Sequence, residues 1–244
     1  MESTLPICSK QEILYSMTLN KYYLEDKSIY EIGVDEAGRG PLFGRVYAGA
    51  VILPKDPNSS FDHSLMKDSK KFHSHKKILE VADYIKTNAI AWSVAYEDEQ
   101  VIDNINILQA TQSAMHKAIK SCIETTEKKA LIESKQSIQL LIDGNYFNNM
   151  ISYDKSQCKI VSLPYVCIKG GDDKYTSIAA ASILAKVARD EYIKELCNDN
   201  PDLDEKYGIL SNKGYGAKKH RDGIAEHGIT IWHRRSFKPC QGYT

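Results

Sequence analysis

The sequence contains few cysteines, and they form no recognisable pattern. Six of the 244 residues are cysteine, scattered along the chain with no Cys-x-x-Cys pair. This argues against both a zinc site built from cysteine pairs and the disulfide framework of a small secreted protein. We therefore expect reduced thiols and a cytoplasmic protein.

Long hydrophobic runs and a net charge are also missing. No apolar run approaches the roughly 20 residues of a membrane span, and the N-terminus lacks the basic start and apolar core of a signal peptide. We expect no association with a membrane. The formal net charge is zero, with 42% hydrophobic and 26% charged residues, which is ordinary for a soluble globular domain.

Positive charge is concentrated in two segments of this neutral chain. Residues 206–244 contain eight Lys or Arg against two acids, and residues 67–77 contain five lysines against one acid. Such a distribution is typical of a protein that holds both a metal and a phosphate backbone. The alternative is a solvated surface, which is the usual meaning of a single charge run.

The most informative segment covers residues 30–54. Asp35 and Glu36 directly follow an apolar run that is typical of a strand buried on both faces, and acids are costly to bury there without a partner. Clustered carboxylates usually bind a hard cation such as Mg²⁺. The turn Gly38-Arg39-Gly40 then places bare backbone beside a cation that can bind phosphate. The segment predicts metal-assisted phosphate chemistry.

The rest of the chain predicts a mixed α/β protein. Two further sites place acids near the ends of predicted elements. Asp143 follows a buried strand and precedes Gly144, where an Asp-Gly turn is the alternative. Asp172 and Asp173 precede a predicted helix, where an N-cap is the alternative. The predicted strands are two within 29–54, then 89–97, 137–143 and 159–168; the predicted helices are 103–125, 176–197 and a short one near 217–227, with 1–28 as a short helix or a loose extension.

Two motifs resemble those of the type 2 ribonucleases H. Residues 35–53 resemble the family pattern DEAGRGPLxGPVxAAAVIL, and residues 177–190, SIAAASILAKVARD, resemble SIAAASIIAKVTRD. The first motif departs from the pattern at Arg45, where proline is usual, and at Gly49, where alanine is usual. Matching segments run from residue 30 to about residue 238, which is most of the chain.

The resemblance implies a ribonuclease H-like fold, a mixed five-stranded sheet flanked by helices, with a C-terminal helical extension. We expect an N-terminal extension at 1–28, a catalytic domain at 29–200, and a basic extension at 201–244 packed on the same domain. The resemblance also implies four catalytic, metal-binding carboxylates, which are Asp35, Glu36, Asp143 and Asp172. Asp173 remains the alternative to Asp172, because the adjacent glycines could shift the loop by one residue.

Such a carboxylate set can hold two divalent ions, Mg²⁺ or Mn²⁺, one activating the attacking water and the other stabilising the leaving 3′ oxygen. The implied substrates are RNA–DNA hybrid and duplex DNA that contains ribonucleotides. In the family, the Gly-Arg-Gly backbone and a tyrosine from a GYG-type motif sense the 2′-hydroxyl and the junction with deoxyribose. The matching residues here are Gly38, Arg39, Gly40 and Tyr215.

Other segments of the resemblance imply weaker contacts. Ser69 and Lys70 are expected at phosphates, Lys186 facing the site, and Arg189 paired with Asp190. The ending at 233–237, HRRSF, is expected to add positive charge, and His220 is interpreted as a loop or cap residue. Asn104, Asn106 and Thr111 are expected either at the substrate backbone or as helix caps.

The implied function is a metal-dependent endoribonuclease. It cuts the RNA strand of hybrids and the 5′ side of a single ribonucleotide in duplex DNA, leaving 3′-hydroxyl and 5′-phosphate ends, and serves ribonucleotide removal during DNA replication and repair. We expect a monomer. One alternative is a non-catalytic nucleic-acid-binding module, which the retention of all four acids disfavours. Another is a DNA nuclease or phosphatase on the same sheet, which the joint presence of Gly38-Arg39-Gly40 and Tyr215 disfavours.

Overall fold

The computed structural model describes residues 18–56, 58–128, 137–154 and 158–243. The strands in these ranges are β1 (Ile29–Ala37), β2 (Val46–Ile52), β3 (Ala91–Glu97), β4 (Ser137–Asp143), β5 (Ile151–Asp154), β6 (Lys159–Ser162) and β7 (Tyr165–Ile168). The helices are α1 (His75–Asn88), α2 (Glu99–Lys128), α3 (Thr176–Asp199), α4 (Asp202–Tyr207), α5 (Ile209–Asn212) and α6 (Lys218–His227). No helix in these ranges has the length and apolar character needed to cross a membrane.

Five strands form a mixed sheet in the order β3-β2-β1-β4-β7. β1 and β2 pair antiparallel, as do β2 and β3, whereas β4 runs parallel to both β1 and β7. The C-terminal ends of β1, β4 and β7 therefore meet at one edge of the sheet. The predicted five-stranded, helix-flanked architecture is confirmed. β5 and β6 form a separate two-stranded ribbon.

The sheet is buried between two helices. α2 covers one face with an apolar stripe that includes Met115 and Ile119. α3 lies against the other face, and two strand glycines allow it to come close. A Cβ atom at Gly33 would stand 2.2 Å from the carbonyl carbon of Ser177, and one at Gly49 would stand 2.4 Å from the carbonyl oxygen of Ala181. Gly49, a departure from the family pattern, therefore permits this close packing.

The C-terminal segment packs against the loop between β1 and β2. Leu42 and Phe43 in this loop share an apolar cluster with Tyr207, Ile224 and Cys240. Backbone hydrogen bonds join the same parts, because Leu42 N–H donates to the Gly214 carbonyl and Gly44 N–H donates to the Trp232 carbonyl, at 2.8 and 2.9 Å. The loop that follows the first two acids is thus supported from the end of the chain.

Two predicted elements differ from the described ones, and one described helix was not predicted. The strand expected at 159–168 is divided into β6 and β7, because Pro164 lies between them and has no N–H for a sheet. α2 is longer than expected and is interrupted at Asn106, whose φ of 67° is not helical. α1 was not predicted, although its buried residues Ile78, Val81 and Ile85 follow helical spacing.

The N-terminal prediction is only partly covered, because residues 1–17 lie outside the described residues. Residues 18–28 contain no helix. The Glu31 carboxylate accepts hydrogen bonds from the backbone N–H groups of Tyr23 and Leu24, at 3.0 and 2.6 Å, and from Lys55 Nζ at 2.7 Å. This part of the chain is held to the start of β1.

Candidate active site

The sheet topology gathers four acids at one edge. Asp35 and Glu36 lie near the end of β1, and Asp143 is the last residue of β4. Val34 pairs with Ile142 in the parallel ladder, so Asp35 and Asp143 follow neighbouring positions. Asp172 lies on a single 3-10 turn just after β7, whose Ile168 pairs with Asp143.

Each of these carboxylates already has a protein partner. Asp35 is buried, and its Oδ1 accepts from the Glu36 N–H at 2.7 Å. Glu36 Oε1 lies 3.0 Å from Arg39 Nη1. Asp143 Oδ1 accepts from the Gly171 N–H at 2.6 Å. The side chains are thus held at the sheet edge by the first turn after β1 and by the turn after β7.

Asp172 and Asp173 are clearly different in the structure. Asp172 is buried, with Oδ2 3.8 Å from Lys70 Nζ. Asp173 is exposed and forms an ion pair with Lys71. Only Asp172 lies with the other carboxylates, so the geometry favours it as the fourth acid.

Burial and repulsion between neighbouring carboxylates raise the pKa values of three of these acids. Burial raises the pKa of Asp35, and Glu36 and Asp143 raise it further. Burial also raises the pKa of Glu36 despite the hydrogen bond from Arg39. For Asp172 the pKa is raised by burial and then by Asp143. A cation at this edge would relieve the repulsion.

The same carboxylates also affect the pKa of Lys70. Partial burial opposes its protonated form, but nearby carboxylates, first Asp68 and then Asp172, raise its pKa overall. Its side chain is largely exposed and points to the acidic edge. Lys70 is therefore placed between solvent and the carboxylates.

The donor set fits a hard divalent cation, because all the candidate ligands are carboxylates. Within the described ranges, no three His, Cys, Asp or Glu side chains converge as in a closed metal site. Glu36 is turned to Arg39, and Asp143 to the Gly171 amide. Glu36 would become available to a cation at this edge if its contact with Arg39 were released.

One buried arginine holds the Gly-Arg-Gly turn. The Arg234 side chain is fully buried and donates to five carbonyls at 2.6–3.1 Å. These carbonyls belong to Gly38, Arg39, Pro41, Gly44 and Arg45. The HRRSF ending was expected to add positive charge, and the charge that Arg234 adds lies in the interior, where it holds the turn.

Tyr215 lies against this turn. A Cβ atom at Gly40 would stand 3.3 Å from Cε1 of the Tyr215 ring. The tyrosine is 52% exposed, so one side of its ring remains available. The structure thus brings together the turn and the tyrosine that the sequence motifs singled out separately.

Two of the expected substrate-binding residues, Ser69 and Lys186, have other partners in the structure. The Ser69 hydroxyl is buried and lies 3.0 Å from the hydroxyl of Ser182, which in turn bonds to Asp35. A direct contact between the Ser69 hydroxyl and phosphate does not agree with this burial. Lys186 forms an ion pair with Asp190 at 2.7 Å.

The expected pair between Arg189 and Asp190 is not formed. Arg189 is buried and donates from Nη2 to the Lys213 carbonyl at 2.8 Å. Its side chain fills the space beside Gly38, where a Cβ atom would stand 2.3 Å from Nε. Arg189 therefore supports the Gly-Arg-Gly turn from the α3 side.

The polar residues at the start of α2 divide into two groups. Asn106 caps the second part of the helix, because its Oδ1 accepts from the N–H groups of Leu108 and Gln109 at 3.0 and 3.1 Å. The Thr111 hydroxyl is buried and donates to the Ile107 carbonyl. Asn104 and Asn106 are both exposed, but the Asn106 carboxamide oxygen is already occupied by the helix cap.

Arg45 has a structural role that the sequence did not suggest. Its guanidinium lies 4.1 Å from the ring centre of Tyr96 and 4.4 Å from that of Tyr192. Cation–π stacking between two rings stabilises the charge in this half-buried position. The residue that replaces the usual proline is thus held by two tyrosines.

Comparison with known proteins agrees with this geometry. The family profile described as Ribonuclease HII matches residues 32–240. A Ribonuclease HII of Bacteroides thetaiotaomicron is 43% identical over 212 residues, covering 87% of this chain and 91% of that protein. The fold resembles ribonuclease H2 from Pyrococcus horikoshii, with a TM-score of 0.58 and 22% identity over 86% of this chain and 95% of that one. It also resembles Bst-RNase HIII in complex with Mn²⁺, with a TM-score of 0.60 and 21% identity over 87% and 68% of the two chains.

The five-stranded sheet and its flanking helices share the fold of these solved structures. The family profile covers residues 32–240, and the identity of 43% to the Bacteroides protein extends over 87% of the chain. The chain belongs to the ribonuclease HII family and is a ribonuclease H endonuclease.

Proposed function

We propose that this chain is a metal-dependent endoribonuclease that cuts both RNA–DNA hybrid and duplex DNA containing a single ribonucleotide. Cleavage of the second substrate falls on the 5′ side of the ribonucleotide and leaves 3′-hydroxyl and 5′-phosphate ends. The activity serves removal of ribonucleotides from DNA. The observation that carries the proposal is the placement of the acidic sheet edge beside the turn at Gly38–Gly40 and the ring of Tyr215.

The four carboxylates are the proposed ligands of two divalent ions, Mg²⁺ or Mn²⁺. They are Asp35, Glu36, Asp143 and Asp172. When bound, such ions supply an activated water and charge stabilisation at the leaving oxygen. Support comes from the all-oxygen donor set, from the raised pKa values of Asp35, Glu36 and Asp172, and from the Mn²⁺ complex of a protein with the same fold.

The backbone of the Gly-Arg-Gly turn is the proposed reader of the 2′-hydroxyl. A protein distinguishes RNA from DNA through this group and through the helix shape that it imposes. Gly38 has a φ of 95°, a left-handed conformation that glycine adopts without strain, and neither glycine adds a side chain of its own between the turn and a substrate. Arg234 donates hydrogen bonds to the carbonyls of Gly38 and Arg39 from the protein interior. These bonds hold the backbone of the turn in place for the substrate.

Tyr215 is the proposed contact of the deoxyribose at the junction. Its half-exposed ring lies on Gly40, beside the group that reads the ribose. Lys70 is the proposed phosphate contact, because its exposed ammonium group lies next to the carboxylates. Phosphate contacts of this type position the duplex without reading its sequence. We also propose that the protein acts as a monomer in the cytoplasm.

The test uses purified protein and a DNA duplex that carries one ribonucleotide. Cleavage is measured with Mg²⁺, with Mn²⁺ and with chelator, beside an Asp35→Asn variant and an all-DNA duplex. A metal-dependent cut on the 5′ side of the ribonucleotide, lost in the variant, is expected. Tight binding without cleavage would indicate a binding module, and equal cleavage of the all-DNA duplex would indicate a general nuclease.

A further inference from the structure

Two buried histidines lie beneath the loop that carries Tyr215. His220 belongs to α6, and His233 lies in the segment that leads to Arg234. Their exposed fractions are 0% and 1%, and their Nε2 atoms are 3.0 Å apart. The expectation that His220 is a loop or cap residue is wrong, because it lies inside α6 with its ring in the core.

The hydrogen-bond partners fix which nitrogen carries the proton in each ring. The Thr230 N–H donates to His233 Nδ1 at 2.9 Å, so this nitrogen is an acceptor and the His233 proton is on Nε2. That proton faces His220 Nε2, which must accept it. The His220 proton is therefore on Nδ1, which lies 2.9 Å from the Tyr215 carbonyl oxygen.

Both rings are neutral in this arrangement. Burial lowers the pKa of His220, and burial together with the neighbouring His220 lowers the pKa of His233 to about 3. Their surroundings are apolar or aromatic, since Phe43 and Tyr207 contact both rings at their edges. A hydrogen-bonded path thus runs from the backbone at Thr230 through the core to the backbone of Tyr215.

This path ends at the residue that is proposed to sense the junction. The Tyr215 carbonyl also accepts from the Ala217 N–H at 2.7 Å, and the Tyr215 N–H donates to the Asn212 carbonyl at 3.0 Å. The ring itself is half exposed and lies against Gly40. The orientation of the ring therefore depends on its backbone, and His220 is the core side chain that holds the backbone.

We propose that His220 and His233 are positioning residues for Tyr215, and that their hydrogen-bonded pair sets the preference of the enzyme for an RNA–DNA junction over uniform hybrid. The inference rests on the proposed function of Tyr215. It assigns a role in substrate selection to two side chains that do not reach the substrate. It also explains why histidine occupies an apolar core, where each polar nitrogen needs a partner.

The test compares kcat/KM on two duplexes, one with a single ribonucleotide and one uniform RNA–DNA hybrid. Three variants are measured: His220→Phe, Tyr215→Ala and the double variant. His220→Phe keeps a ring of similar size and removes the donor to Tyr215. Because one protein sample cuts both duplexes, the ratio of the two values does not depend on how much of the sample is folded.

His220→Phe is expected to reduce the preference for the single ribonucleotide by about tenfold, which corresponds to ~1.4 kcal/mol. Tyr215→Ala is expected to reduce it at least as much, and the double variant should match Tyr215→Ala alone because the histidine acts through the tyrosine. His220→Asn, which retains a donor at the δ position, should recover part of the preference.

A second measurement uses the wild-type protein and needs no variant to fold. Nitrogen-15 NMR of the imidazoles should show the proton on Nδ1 of His220 and on Nε2 of His233. The opposite tautomers would overturn the inference. An equal loss of activity on both duplexes in His220→Phe, or additive losses in the double variant, would also overturn it and leave the proposed function intact. A wild-type enzyme that cuts the two duplexes equally well would overturn the inference, and a preference that survives Tyr215→Ala would overturn both the inference and the role proposed for Tyr215; the proposed cleavage of both duplexes is tested separately by the metal-dependent assay described above.

Discussion

Replacing Arg234 by methionine should be among the most damaging single changes outside the carboxylates. The guanidinium is fully buried and makes five hydrogen bonds to carbonyls of residues 38–45. Burial and then the nearby Arg189 lower its pKa to about 9, so it remains charged at neutral pH. Methionine would fill part of the volume and leave those carbonyls without their donor.

The size of the effect follows from these contacts. A hydrogen bond to a charged group contributes about 1.5–3 kcal/mol, but the contributions are not additive, and removing the buried charge recovers its desolvation cost. Removing one partner of a buried charged network costs about 3–5 kcal/mol. We expect Arg234→Met to lower the free energy of unfolding by that amount, a large fraction of the roughly 5–15 kcal/mol that holds a domain folded.

Arg235→Met provides the matched control, with the same change of charge one residue away. Arg235 is exposed, and its backbone N–H rather than its side chain bonds to Asp103. Urea unfolding followed by circular dichroism should separate the two variants, with Arg235→Met close to wild type. If Arg234→Met loses less than about 1 kcal/mol, or no more than Arg235→Met, then the carbonyl network does not stabilise the turn as argued.

Three further changes test other parts of the site. Asp35→Asn should raise the free energy of unfolding of chelator-treated protein at pH 7, by about 1.4 kcal/mol for each unit by which the carboxyl pKa is raised. Because the folded protein binds the proton more tightly than the unfolded chain, the advantage should shrink as the pH falls to about 4; an advantage that is independent of pH would contradict the raised pKa. Ser182→Ala should lower the apparent affinity for the metal, because the Asp35 carboxylate loses a hydroxyl donor. The variant should then need a higher metal concentration for half-maximal cleavage; an unchanged metal titration would show that Ser182 does not support the site. Arg45→Ala should lower the free energy of unfolding by about 1–2 kcal/mol through the loss of two cation–π contacts, and equal urea midpoints for variant and wild type would show that the stacking is not stabilising.

The sheet edge was predictable because its signal is local. An acid that directly follows a buried apolar strand must lie at the end of that strand, and this holds for Asp35, Glu36 and Asp143 without any knowledge of their neighbours. The parallel pairing of β1 with β4, which brings Asp35 near Asp143, is not contained in either segment. The family resemblance supplied only the expectation that these carboxylates share one site.

Other features could not be predicted for a physical reason. Arg234 and Arg235 are adjacent and chemically identical, and only the tertiary packing buries one and exposes the other. The partners of Ser69 and His220 are likewise distant in sequence, at Ser182 and His233. By contrast, α1 and the break at Pro164 had usable signals, in the spacing of apolar residues and in the proline itself.

Asp35, Glu36, Asp143 and Asp172 are proposed to form one metal-dependent cleavage site. The direct measurement is single-turnover cleavage of one duplex with a single ribonucleotide, using amide replacements of each acid in turn, which are Asp35→Asn, Glu36→Gln, Asp143→Asn and Asp172→Asn. Asp173→Asn is the matched control, because Asp173 is exposed and paired with Lys71. We expect the four variants to lose cleavage while Asp173→Asn retains it. Full activity in any of the four, or loss of activity in Asp173→Asn with retention in Asp172→Asn, would show that these four carboxylates do not form the cleavage site.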